Sequence, residues 1–140
     1  MNPVTQRTES LREIAEHADS IEVWGLALGD LLDEISFRRG HGRLIASCFQ
    51  APPPVLRGKF LQGELADAFG AALAEHLAAE DARQPAPAWT RERARFLATP
   101  WFADDSPKLR EYLRTATPAA FQAHGIFIEL EGEMIRRLAR

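Results

Sequence analysis

The stretch from Ser10 to Gly40 does most to limit what this chain can become. Ile14, Ala18, Ile21, Gly25, Leu28, Leu32 and Ile35 recur at alternating steps of four and three, which sets one side chain per turn on a single helical face. A seam of that kind is satisfied by packing against another helix. Ser10, with Glu13 three residues on, has the form of a capping box. At the far end Gly40 follows Arg38 and Arg39, which suits a left-handed cap behind cations that favour the carboxyl end of the helix dipole. The spacing predicts one helix from about Leu11 to Arg39, roughly 40 Å long at 1.5 Å per residue. A second apolar edge through Val23, Trp24 and Leu31 widens the stripe, so this helix is expected to bury most of its girth as the central helix of a small α domain. The alternative use of the seam is self-association, as a homodimer.

The helical period returns from about Leu56 to Ala82, with Leu61, Leu65, Ala68, Phe69, Ala72, Leu73, His76 and Leu77 on one face. Gly63 and Gly70 lie seven apart inside it, and each costs about 1 kcal/mol relative to alanine in a helix interior. The expected reason for keeping them is close passage of another backbone, the first helix at Gly25. At 140 residues and 46% hydrophobic composition the chain can close one core without staples.

Between and after these helices the chain is punctuated by proline. Ala51-Pro52-Pro53-Pro54 and Gln84 to Thr90 read as extended connectors, the second carrying Trp89 as an anchor. Arg43 to Phe49 reads equally as a short helix or an extended segment. Thr90 is expected to cap a helix from Arg91 to Ala98, and Thr99-Pro100-Trp101-Phe102 is a second proline-tryptophan insertion. Ser106-Pro107 and Thr117-Pro118 are start signals, a capping hydroxyl before a proline at the first helical position, for helices over 108–116 and 119–124. Gly125 stops the latter, and Ile126 to Ile128 reads as a brief strand. A last amphipathic helix is expected over 131–140, with residues 1–9 loose. The fold class is all-α, one domain over 10–140, with two long helices, several short ones and proline-rich connectors.

A formal charge of −3 gives no global attraction to phosphate backbones, so nucleic-acid binding would need a local patch. Arg38, Arg39 and Arg43 make the most basic tight cluster, and Arg91, Arg93 and Arg95 a second; together they define the alternative of a nucleic-acid-binding regulator. The lone Cys48 excludes an internal disulfide and reads as a buried small hydrophobe. His17, His41, His76 and His124 sit singly in different elements, without metal-ligand spacing, and no nucleophile elbow, phosphate loop or H-E-x-x-H motif is present. Neither catalysis nor a metal or other cofactor is expected. The amino terminus lacks a signal-peptide pattern and no apolar run approaches a membrane span, so a cytoplasmic location is expected.

Taken in order, L-R-E-I-A-E-H-A-D-S-I-E-V-W-G from Leu11, R-L-I-A from Arg43, A-P-P-P from Ala51, F-L-Q-G-E-L-A-D-A-F-G-A-A-L-A-E-H-L-A from Phe60, P-A-W at Pro87, P-W-F at Pro100 and T-P-A-A-F-Q-A-H-G-I-F-I from Thr117 carry a resemblance. The chain resembles small bacterial proteins encoded beside nucleotidyltransferase-like proteins of toxin–antitoxin type, over about Leu11 to Ile128. Related carboxyl halves occur behind helix-turn-helix regulators, a motif this chain lacks at its amino end. The resemblance implies an antitoxin-like companion that binds and silences a cognate transferase, and it carries no catalytic residue. Candidate partner-binding residues are Arg38, Arg39 and Arg43 in the basic turn, Trp101, Phe102 and Phe127 as aromatic hot spots, and Met134, Arg136 and Arg137 in the terminal segment.

Overall fold

A computed structural model describes residues 9–80 and 85–129. Five α-helices lie among them: α1 (Leu11–His17), α2 (Ile21–Gly40), α3 (Gly63–Glu80), α4 (Pro107–Ala116) and α5 (Ala119–Ala123). Single 3₁₀ turns at Ala46–Cys48, Ala88–Arg91 and Arg93–Arg95 join them, and two-residue strands β1 (Trp101–Phe102) and β2 (Ile126–Phe127) pair in parallel, Trp101 opposite Ile126 and Phe102 opposite Phe127. The protein is all-α, with this small sheet at one side.

The predicted first helix is two. Ala18 leaves helical geometry at ψ 136° while its N–H still bonds Ile14, and Ser20 opens α2 by accepting a 3.1 Å hydrogen bond from the Val23 amide. Asp19 and Ser20 are short polar residues that compete for backbone partners, and a serine there caps better than it continues a helix. The seam survives the break: Ile14, Ala18, Ile21, Gly25, Leu28 and Ile35 are all buried, and Leu32 is half-buried. Most of the seam is therefore spent on the core of this chain, with Leu32 left half-buried. Ser10 caps α1 as expected, accepting from the Glu13 amide at 3.1 Å. At the end of α2 the left-handed residue is Gly42, φ 67°, rather than Gly40, which ends the helix in ordinary helical geometry.

The central helix is α3. Thirteen of its eighteen residues are buried, whereas α2 leaves Val23, Leu26 and Phe37 exposed. Ala66, Ala68, Ala71, Ala72, Ala74 and Ala78 give α3 little side-chain bulk, so neighbours approach it from several sides. Phe69 meets Trp24 of α2 edge-on at 5.8 Å on one flank and Phe121 of α5 at 5.2 Å on the other. The predicted first turns of this helix, 56–62, instead form a tight loop, and Gly63 begins α3. Its missing Cβ answers Leu56, whose carbonyl oxygen would lie 2.0 Å away. The close backbone is thus the proline connector and not the first helix, and Gly70 has no such neighbour.

The last third departs from expectation in its start signals. Pro107 opens α4 as predicted, but Ser106 makes no side-chain cap. Thr117 turns back, donating to the Leu113 carbonyl at 2.6 Å and accepting from the Ile128 amide at 2.9 Å, so it ties the end of α4 to β2 instead of starting α5. Gly125, φ 84°, ends α5 and lets β2 run beside β1. In place of the predicted helix over 91–98 the chain makes one 3₁₀ turn, Arg93–Arg95, just after the turn that ends at Arg91.

Candidate functional site

The aromatic candidates converge. The parallel register sets Phe102 of β1 against Phe127 of β2, rings stacked at 4.6 Å and 15°, both half-buried, with Trp101 half-buried beside them. From α4, one turn apart, Arg110 and Arg114 each lay a guanidinium 5.0 Å from the Phe102 ring, and Arg114 lies 6.0 Å from Phe127. Each such contact contributes about 0.5–1 kcal/mol at a half-exposed site. Arg110 also pairs with Asp105 at 3.1 Å. Leu109 and Tyr112 are exposed on the same helix, and the Tyr112 hydroxyl bonds Glu129 just beyond β2. The result is an open face of flat rings and planar cations, the side chains most enriched at the centres of protein interfaces.

The basic turn does not form the cluster its sequence suggests. Arg38 points inward, 8% exposed, ringed by Glu34 and Glu9 at 3.7 Å and donating to Ser47 Oγ at 3.4 Å and Cys48 Sγ at 3.5 Å. The turn closes around it, the Arg43 amide bonding the Arg38 carbonyl at 2.8 Å. Arg38 is therefore tied into the fold, with little of its surface left to meet a partner. Arg39 bridges α2 to α3 through Glu80 at 3.2 Å, over a groove of about 330 Å³ floored by Leu32, Ile35, Leu73 and Leu77. Arg43 alone of the three remains exposed without an ion pair among the described residues. The second basic cluster is broken likewise, since Arg95 is 2% exposed. Met134, Arg136 and Arg137 lie outside the described residues.

Two buried polar networks escaped the sequence reading. In the first, Arg95 donates to the Pro53 carbonyl at 2.6 Å and to Glu92 at 3.1 Å, lies 3.8 Å from Asp67, and stacks on Trp89 at 4.9 Å. Asp67 accepts from the Leu56 and Arg57 amides at 2.7 and 3.0 Å. Burial pushes its carboxyl above the ordinary range, against the pull of those two amides and of Arg95. In the second, His124, 1% exposed, sits between Glu75 Oε1 at 2.7 Å and the Arg95 carbonyl at 2.6 Å, under the ring of Phe96. Glu75 Oε2 accepts from Thr90 at 3.0 Å. Thr90 is fully buried and its hydroxyl proton is shared between this carboxylate and the Pro87 carbonyl at 2.9 Å, with no bond to the imidazole, so this is a clamp joining α3, α5 and the 3₁₀ turns, without the geometry of an activated nucleophile. Thr90 caps no helix.

Among the described residues no group of three or more His, Cys, Asp or Glu is placed to hold a metal ion, and no helix is long and apolar enough to cross a membrane. No family model, curated protein or solved structure matches the chain. Fold and site together define an all-α protein whose buried charges serve the fold and whose aromatic and arginine side chains gather on one open face.

Proposed function

We propose that this chain is a non-catalytic, antitoxin-like binding protein that engages a nucleotidyltransferase-like toxin through the Phe102 face. The carrying observation is the stack of Phe102 on Phe127 under Arg110 and Arg114, half-exposed and assembled from three separate elements. Trp101, Phe102 and Phe127 are the residues that the sequence marks as hot spots, and their convergence on one surface supports the reading. The class of partner rests on the resemblance. Silencing follows if the bound chain blocks the transferase site or holds the enzyme in a form that cannot act.

The test is co-expression with the product of the neighbouring gene, which the resemblance implies is transferase-like, scoring growth and co-purification together. Rescue of growth with a stable complex is expected. Phe102→Ala and Arg114→Glu should each weaken the complex by about 2 kcal/mol or more, the scale of an interface hot spot, while circular dichroism shows helical content unchanged. A harmless neighbour, or no complex, refutes the reading; a complex indifferent to both substitutions removes this face from it.

A further inference from the structure

The loop over 55–62 holds a large apolar side chain in solvent at evident conformational expense. Leu61 is 87% exposed, and Val55 is 42% exposed near the other end of the loop. Gln62 stands at φ 67°, the one non-glycine residue with positive φ among those described, and Gly58 at φ 85° turns the tip. A left-handed glutamine is costly for an L side chain, and residues kept in such conformations concentrate where a shape is used. The chain around the loop is fixed at several points. Asp67, buried in α3, accepts the Leu56 and Arg57 amides, the Lys59 amide bonds the Leu56 carbonyl at 2.9 Å, and the Gly63 amide bonds the Phe60 carbonyl at 3.0 Å. Phe60 packs against the core, so the tip is braced from beneath.

Charge adds to shape here. Arg57 and Lys59 flank the tip, both exposed, and neither makes an ion pair among the described residues. Glu64 at the start of α3 is half-buried, and Asp67, which feels the charge of Arg57, is buried beneath, so the exposed charges at the tip itself are both positive. We infer that the 55–62 loop is a docking element whose Leu61 enters an apolar pocket rimmed by carboxylates on a protein partner. A preformed knob binds a pocket without the cost of ordering itself. A fluid bilayer gives no return for one fixed backbone shape, which favours a protein over a membrane. This surface is separate in sequence from the Phe102 face, and the inference holds whatever partner that face takes.

The full chain is expressed in its native host with a photo-crosslinking phenylalanine analogue at position 61, and in parallel at Leu26, which is 63% exposed on α2. One discrete adduct is expected from position 61 and not from position 26. It should disappear when Arg57→Glu and Lys59→Glu accompany the probe. The crosslinked protein is identified and purified. Its affinity for the unmodified chain should then fall with added salt, and fall about tenfold or more with Leu61→Asp. Leu61 is exposed, so that variant keeps the wild-type thermal midpoint and the loss is one of binding. No adduct at 61, an equal adduct at 26, or an adduct retained after charge reversal overturns the inference. So does an adduct with a second copy of the chain, or co-sedimentation with anionic phospholipid vesicles in place of a protein partner. If the adduct is the transferase, both readings meet; if it is another protein, the loop inference stands and the transferase reading must rest on its own co-purification.

Discussion

Gly63 and Gly70 lie seven residues apart on α3, and alanine at the two positions should shift stability in opposite directions. Propensity alone favours alanine over glycine by about 1 kcal/mol in a helix interior. At Gly70 no atom lies within 4 Å of an added Cβ, and the residue lines a cavity of about 10 Å³ together with Ala66, Asp67 and Trp24. A methyl group there gains the propensity and up to about 0.8 kcal/mol of apolar burial, so Gly70→Ala should stabilise by about 1–2 kcal/mol. At Gly63 the same methyl would stand 2.0 Å from the Leu56 carbonyl oxygen and 2.6 Å from its carbon, with backbone and not a yielding side-chain tip in the way. The peptide joining Leu56 to Arg57 must move, and its N–H, that of Arg57, is one of the two amides that Asp67 binds. Overpacking of about 1–3 kcal/mol plus loss of a hydrogen bond to a carboxylate, about 1.5–3 kcal/mol, gives a destabilisation of about 2.5–6 kcal/mol. Urea unfolding of the two variants and the wild type, at one pH and with the slopes compared, measures both values. Gly63→Ala at or above wild-type stability would refute the close approach, and a destabilised Gly70→Ala would refute the open space.

The remaining predictions concern buried groups. Asp67 is held above the ordinary carboxylate value of 3.8 by burial, so the folded chain takes up this proton at a pH where the unfolded chain is still ionised. Its contribution to stability therefore rises as pH falls from the folded value toward 3.8, and the wild type should gain on Asp67→Asn over that window in paired urea titrations; a constant or shrinking difference contradicts it. Burial likewise pushes the Cys48 thiol up, with Arg38 opposing and Glu34 and Glu9 assisting. Cys48 should resist a disulfide reagent in the native protein and react only as fast as the chain unfolds; rapid native labelling would place it at the surface.

Periodicity made the seam legible because its residues pack into the same core, whether or not the helix is continuous. That is also why it missed the break: Ala18 and Ile21 remain buried on both sides of it, so the apolar pattern carries no trace of the turn between. Asp19-Ser20 was the available signal, a capping pair inside an apparent helix. The rank of the helices was misread for a related reason. Breadth of stripe suggested that the first helix was central, yet Val23 and Leu26 face solvent, while the alanines of α3, weak as hydrophobic signals, mark the helix that others approach most closely. Of the site candidates, Trp101, Phe102 and Phe127 come together, and no local pattern announces that residues 102 and 127 pair. Arg38 and Arg95 look like surface cations in the sequence because their burial depends on folds of the chain that no local pattern shows: the turn that brings Ser47 and Cys48 back onto Arg38, and the connector that brings Pro53 to Arg95.

Those two arginines belong with Asp67, Glu75 and His124 in one physical requirement. A chain with nine prolines, many of them in its connectors, has segments that cannot pair their backbones with one another, yet they must lie against an apolar helix. Carboxylates on α3 answer this by accepting two donors each. Asp67 takes two amides of the loop after the triple proline, and Glu75 takes Thr90 and His124 from the connectors beyond the helix. Arg95 works in the opposite sense, giving donors to the Pro53 carbonyl and to Glu92. Each charge is held by partners from a different segment, so removing one leaves another buried and uncompensated, which costs more than the single bond lost. The buried charges are therefore committed to holding the connectors in place, and the side chains free to meet another molecule are the ones those connectors carry to the surface: Phe102 and Phe127 on one side, Leu61 on another.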